Sequence, residues 1–124
     1  MTRRRLFMRI EVRGRNIEVT DELRDQIAKR FRRVGKQVSA LATLDVELSE
    51  ERNPSIADRH VAEATLRLKG VTLRAREASP EMSHAIHELA EDMRRQVKRH
   101  RELRRKRRQT RRVLGRTRDR TAES

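Results

Sequence analysis

Several residue types are missing from this chain of 124 residues, and each absence excludes a class of protein. There is no cysteine, which excludes disulfide frameworks, thiolate metal sites and cysteine nucleophiles. There is no tryptophan or tyrosine, and the two phenylalanines, Phe7 and Phe31, fall in or beside apolar patterns typical of a core. The chain therefore lacks the exposed aromatic side chains on which an RNA-recognition motif stacks bases.

Long hydrophobic runs are also missing. No segment approaches the roughly 20 apolar residues that span a bilayer, and Thr2–Met8 lacks the apolar core of a secretory signal. We therefore expect a cytoplasmic protein without a membrane partner. Hydrophobic residues form 34% of the chain and charged residues 42%, which favours one small folded domain with a solvated extension.

The positive charge is concentrated near the end of the sequence. Residues 1–93 carry 18 Lys and Arg against 16 Asp and Glu, whereas residues 94–124 carry 15 against 3, within a total net charge of +14. A cationic segment on a nearly neutral body indicates a polyanionic partner. Nucleic acid is favoured over an anionic membrane, because membrane-binding helices pair their cations with bulky apolar residues that are scarce here.

Four segments alternate apolar and polar residues as half-buried strands do. The first runs from Phe7 to Arg13 and ends at Gly14. The second is centred on Val46, and the third and fourth are joined by the Lys69-Gly70 turn of a tight hairpin. Their inward-facing residues are expected to be Met8, Ile10, Val12, Leu44, Val46, Leu48, Ala62, Ala64, Leu66, Leu68, Val71, Leu73 and Ala75.

Two helices are predicted from apolar residues that recur every three or four positions. Thr20 caps the first, which ends near Gly35, and Ser79 with Pro80 begins the second. The expected inward residues are Leu23, Ile27, Phe31 and Val34 on the first helix, and Met82, Ile86, Leu89, Met93 and Val97 on the second.

The order β-α-β-β-β-α predicts an α+β fold of two layers, with a four-stranded sheet covered on one face by both helices. We expect the folded domain to occupy residues 7–102. Residues 103–124 are expected to form a basic, Arg-rich tail, in which a helical extension gives way to disorder from about Gly115.

Basic residues lie opposite the apolar stripes of both helices when these are drawn at 3.6 residues per turn. Such residues often form nothing more than a solvated surface. Crowded cations without compensating acids repel one another, however, and a polyanion relieves that cost. The candidate RNA-binding residues on these grounds are Lys29, Arg32 and Lys36 with Arg33 on the flank, and Arg95, Lys98, Arg99, Arg101, Arg104 and Arg105.

Catalytic interpretations have little support. His84, His87, Glu88 and Glu91 share the outer face of the second helix, but they lack the H-E-x-x-H order of a zinc site and an apolar wall. No glycine-rich phosphate loop is present. We expect no enzymatic activity, no metal and no cofactor.

Several runs resemble the ribosome hibernation-promoting factors, also called ribosome-associated inhibitor A. They are Val12 to Thr20, His60 to Ala64, Glu81 to Ile86 and Arg95 to His100, and the similarity covers residues 8–102 in order. The resemblance implies a domain that binds ribosomal RNA in the messenger and transfer RNA channel of the small ribosomal subunit. It would inhibit translation there during stress or stationary phase, with no DNA partner. The contacts that the resemblance implies are basic residues of both helices: Lys29, Arg32, Arg33, Lys36, Arg94, Arg95, Lys98 and Arg99.

Two positions depart from the family pattern. Ser83 stands where the family usually has an aromatic residue, and His87 where it has an acid. The sequence contains no second domain of the kind that pairs ribosomes in long members, so it resembles the short type, without a self-dimerisation domain. A constitutive RNA-binding or ribosome-assembly protein remains the alternative, and a metal-dependent nuclease is a remote third.

Overall fold

The computed structural model describes the backbone of residues 8–122 and the side chains of residues 8–115. Phe7, with which the predicted domain begins, and the last two residues of the predicted tail lie outside the described residues. The elements are β1 (Arg9–Arg15), α1 (Asp21–Arg30), α2 (Arg32–Gln37), β2 (Thr43–Glu50), β3 (His60–Leu68), β4 (Val71–Ser79) and α3 (Met82–Ala122).

The four strands form one sheet in the order β1-β2-β3-β4. β1 runs parallel to β2, whereas β3 and β4 are antiparallel to their neighbours. The register aligns Val46 with Val12 on one side and with Ala64 on the other, and Ala64 in turn with Ala75. Because side chains alternate across a sheet, these aligned residues share one face. The predicted α+β class is confirmed.

The helices cover that face and complete a single core. Thr20 caps α1 by accepting a hydrogen bond from the Leu23 N–H at 3.2 Å. The largest fully buried side chains come from the predicted inward stripes of the helices and from β2 and β3: Ile27, Phe31, Val34, Leu44, Val46, Leu48, Leu66, Ile86, Leu89, Met93 and Val97. Burying one such side chain stabilises the fold by roughly 1.5–3 kcal/mol.

The predicted first helix is two helical segments in the structure. They meet at Phe31, whose backbone has φ −88° and ψ 4°, and α2 continues through Gly35 to Gln37. The Phe31 N–H donates to the Ile27 carbonyl at 2.9 Å, and the Phe31 carbonyl accepts from the Gly35 N–H at 2.9 Å. These bonds keep the segments in line while the Phe31 ring fills the core. The helix ends at Gln37, two residues beyond the expected Gly35.

Gly14 does not end the first strand either. It pairs with Leu48, and Arg15 pairs with Ser49, so β1 extends to Arg15. The chain then turns at Asn16, which has φ 60°. Asn is one of the few side chains that adopts this left-handed conformation readily, so the turn is placed at Asn16 and not at the glycine.

α3 is far longer than its contact with the core. Val97 is the last of its fully buried residues, and residues 101–115 are all exposed. At about 1.5 Å per residue its 41 residues span roughly 60 Å, of which less than half lies over the sheet. The backbone is helical as far as Ala122. The disorder that the sequence predicts from about Gly115 stays a prediction. No helix among the described residues is long and apolar enough to cross a membrane.

Candidate nucleic-acid interface

The outer surface of the helical layer carries two groups of predicted site residues. We call this surface the helical face, and it comprises Lys29, Arg32, Arg33 and Lys36 of α1 and α2 with Arg94, Arg95, Lys98 and Arg99 of α3. The apolar stripes bind the helices to the sheet, so these positions turn away from it. All are exposed except Arg94, which is half-buried. The placement agrees with the helical-wheel prediction for the seven residues that it covered, and Arg94 is the one that only the resemblance implied.

Cations on the opposite surface, the outer face of the sheet, are largely paired with carboxylates. Of the six ion pairs among residues 8–115, five involve the strands or the residue just before β3. Arg76 binds Glu63 across two strands at 3.0 Å, and Arg67 binds Asp45 across another pair. The sheet face is thus close to electrostatic balance, whereas seven of the eight cations on the helical face form no ion pair within the described part of the chain.

Arg94 is the exception on the helical face. Its guanidinium donates a hydrogen bond to Glu91 Oε2 at 3.0 Å, and this bond is the main reason why the pKa of Glu91 lies below its ordinary value. Burial opposes the lowering, and the charges of Arg94, His87 and Arg33 add to it. Since Arg33 belongs to α2 and Glu91 to α3, the basic surfaces of the two elements meet here. Arg94 is already partly neutralised, so it has less charge to offer a ligand.

The remaining three predicted site residues lie elsewhere. Arg101, Arg104 and Arg105 line a groove with Lys69 and Arg108, between α3, the α2–β2 loop and the β3–β4 turn; we call it the basic groove. The prediction that they continue the outward row of α3 is wrong. They follow Val97 at spacings of four, seven and eight, so they continue the inward stripe past the end of the sheet.

Lys69 and Leu41 are parts of this groove that the sequence did not indicate. The sequence predicts only a turn at Lys69. Leu41 lies in the α2–β2 loop with 91% of its surface exposed. Neither position carries a local signal, because the groove joins segments that are far apart in the sequence. Only the spacing of Arg101, Arg104 and Arg108 after Val97 could have indicated it.

Within the part of the chain that the structure describes, no group of three or more His, Asp or Glu side chains could hold a metal ion. His84 is exposed on α3, and Glu91, a candidate ligand by its position in the sequence, is bound to Arg94. Phe31 is fully buried and therefore unable to stack on a base. The groups that the described surface presents to an RNA ligand are guanidinium and ammonium groups. Such groups recognise the phosphates and the shape of the RNA.

Comparisons with known proteins identify relatives along most of this fold. Residues 10–105 match the family described as "Sigma 54 modulation protein / S30EA ribosomal protein". A "Ribosome hibernation promoting factor" of Acinetobacter guillouiae is 30% identical over 101 residues, covering 77% of this chain and 89% of its own length. A "Ribosome hibernation promotion factor" of Picosynechococcus is 31% identical over 96 residues, and the match spans only 50% of that protein.

Solved structures share the fold. The crystal structure of the Thermus thermophilus Protein Y N-terminal domain superposes with a TM-score of 0.65 at 29% identity, over 74% of this chain and 98% of that one. A ribosomal subunit interface protein from Coxiella burnetii has the same TM-score at 17% identity and supports the fold alone. The matched region includes the whole helical face, whereas most of residues 103–122, which we call the α3 extension, lies beyond it.

Proposed function

Because the chain belongs to the sigma 54 modulation protein / S30EA ribosomal protein family, we propose that it binds the small ribosomal subunit and inhibits translation. In this proposal the helical face contacts ribosomal RNA in the channel that messenger and transfer RNA otherwise occupy. The protein acts in the cytoplasm as a hibernation factor, in stationary phase or under stress, and catalyses no reaction.

The observation that carries the proposal is the contrast in charge between the two faces of the domain. Cations of the sheet face are mostly held by carboxylates, whereas Lys29, Arg32, Arg33 and Lys36 are exposed and unpaired within the described residues. Unpaired cations on one surface repel one another, and RNA phosphates relieve that repulsion while releasing counterions. An RNA partner is therefore expected on the helical face.

Inhibition by occupancy follows from the rigidity of the domain. The helical layer is fixed to the sheet by fully buried residues such as Phe31 and Met93, so the cations are presented at fixed spacing. Fixed spacing allows a basic surface to select a folded RNA by the positions of its phosphates, without reading bases. A domain of this size, roughly 25 Å across, bound in an RNA channel excludes other strands.

The test is binding of purified small subunits by sedimentation. Arg32→Glu combined with Lys36→Glu is expected to weaken binding at least tenfold near physiological salt. The reason is that a charge-assisted hydrogen bond to a phosphate contributes about 1.5–3 kcal/mol, so that losing one such bond already weakens binding about tenfold, and each charge reversal adds repulsion.

The matched control is Arg15→Glu combined with Arg74→Glu. Both residues are exposed on the sheet face, take part in no ion pair within the described residues, and change the net charge by the same amount. The control is expected to bind several-fold more tightly than the helical-face variant. Equal weakening in the two variants would show that net charge alone, and not the helical face, determines binding.

A further inference from the structure

The face of α3 that packs on the sheet changes its chemistry where the sheet ends. Met93 and Val97 are fully buried against the strands. The next positions on the same face are Arg101, Arg104 and Arg108, and all three are exposed. The turn between β3 and β4 marks the end of the sheet. Beyond this turn α3 has no strand beneath it, and the side of the helix that carries these three arginines faces open space.

The basic groove lies under this part of α3, is open to solvent on one side and has a volume of about 740 Å³. Its apolar lining comes from Val38, Ala42, Leu68 and Val97, and Leu41 stands at its edge with 91% of its surface exposed. The cations around it are those of the turn and of α3, together with Arg67. No acidic side chain lines the groove, and of its cations only Arg67 is held by a carboxylate within the described residues, that of Asp45.

We propose that the basic groove binds one unpaired nucleotide of an RNA strand. The base lies against Leu41 and the apolar lining, and Arg101, Arg104 and Arg105 hold the flanking phosphates. The inference rests on the proposed function and deepens it, because it adds a second RNA contact of a different kind. The helical face would recognise phosphates of folded RNA, whereas the groove requires a base that is free of its stack.

Three properties favour this ligand. The volume lies within the roughly 300–1,000 Å³ that accommodates a small molecule, and a nucleotide combines an apolar ring face with anionic phosphates in the same way as the groove combines apolar lining with arginines. A guanidinium can hold a phosphate with two hydrogen bonds or stack on a base. A duplex keeps its bases stacked inside, so it would present only phosphates to the groove and leave the apolar lining uncovered.

Two polar atoms of the lining residues lack partners. Gln37 Oε1 and His100 Nε2 are buried and form no hydrogen bond in the structure. Buried polar groups are nearly always hydrogen-bonded, so an unpaired pair beside one groove calls for an explanation. Because both residues line the groove, the proposal assigns a sugar hydroxyl or a base edge of the bound nucleotide as the missing partner.

The experiment measures fluorescence anisotropy of the full chain with a labelled single-stranded hexauridylate and with a blunt RNA duplex of equal charge, at one fixed salt concentration. Leu41→Ala removes apolar surface without changing charge, and it leaves the fold intact because Leu41 is almost fully exposed. It is expected to weaken hexauridylate binding about fivefold, as removal of a small apolar area from the interface predicts, and to leave duplex binding unchanged.

A second pair of variants separates the groove from general basicity. Arg101→Ala with Arg105→Ala is compared with Lys106→Ala with Arg107→Ala, which removes equal charge from sides of α3 that do not line the groove. Only the first pair is expected to reduce hexauridylate binding beyond its effect on the duplex. Equal effects of both pairs, unchanged binding by Leu41→Ala, or displacement of hexauridylate by hexaglutamate would each overturn the proposal. Since no ribosome is present, these outcomes are independent of the small-subunit test.

Discussion

At the residue scale, two glycines in this domain have opposite roles. A Cβ at Gly14 would overlap the backbone carbonyl of Ile17 and lie 2.8 Å from Val19 Cγ2, because the chain folds back closely after β1. A Cβ at Gly35, within α2, would meet only the Met8 side chain, with Cε at 3.7 Å, an ordinary van der Waals distance. Glycine is therefore required sterically at the first position and is merely tolerated at the second.

We predict effects of opposite sign for the two alanine substitutions. Gly14→Ala should lower the free energy of unfolding by about 1–3 kcal/mol, since the backbone must shift to remove the overlap. Gly35→Ala should raise it by about 0.5–1 kcal/mol, because alanine is the better helix former. Urea unfolding curves of the two variants measure both values. A neutral Gly14→Ala variant would contradict the close approach of the turn to β1.

At the element scale, α3 combines a packing helix and a projecting one. Its first half is fixed by Ile86, Leu89, Met93 and Val97, all fully buried, and by Gln96, whose Nε2 donates to the Arg74 carbonyl at 2.7 Å. Its second half is exposed as far as the side chains are described. The first half therefore positions the helical face, and the second half carries cations away from the domain.

Ile86→Asp is predicted to unfold the domain. The substitution places a carboxylate at a fully buried position with no cation built to receive it, at a cost of about 4 kcal/mol or more, which is most of the stability of a small domain. Ser83→Asp, an exposed change one turn away, should leave the helical signal in circular dichroism intact. A folded Ile86→Asp protein would show that this face of α3 is not the packed one.

How far the sequence predicted these elements depends on the range of the forces that form them. The inward residues of β2, Leu44, Val46 and Leu48, follow from local alternation, and all three are fully buried. The interruption between α1 and α2 at Phe31 cannot be predicted from a local pattern, because its ψ of 4° depends on how the ring packs in the finished core. The basic groove could be predicted only in part: the spacing of Arg101, Arg104 and Arg108 after Val97 places them on the inward stripe, but a helical wheel does not show where the sheet beneath α3 ends.

At the scale of the whole molecule, the cations fall into three sets that differ in their ion pairing and in how firmly the fold holds them. The sheet face is nearly balanced, the helical face is rigid and unpaired, and the α3 extension crowds the rest of the positive charge beyond the core. Rigid cations select RNA by position, whereas those of the extension mainly add attraction. Specificity for a ribosomal site is therefore assigned to the folded domain.

Truncation after residue 102 tests that assignment, and it removes no buried side chain of the described region. The shortened protein is expected to inhibit cell-free translation still, at higher concentration. The dependence of log affinity on log salt should become shallower by roughly 0.7–0.9 for each phosphate that the shortened protein no longer neutralises. Hexauridylate binding should fall sharply, because Arg104, Arg105 and Arg108 of the groove are removed. If the truncated protein is folded but does not inhibit translation at any concentration, the α3 extension and not the folded domain carries the function.

The most direct test of the central claim is competition for the small subunit between this protein and a labelled transfer RNA bound together with messenger. If the helical face occupies the channel, increasing protein displaces the transfer RNA. The Arg32→Glu, Lys36→Glu variant then fails to displace it at concentrations where the Arg15→Glu, Arg74→Glu variant still does. Simultaneous binding of protein and transfer RNA to one subunit, each at its full affinity, would contradict the account.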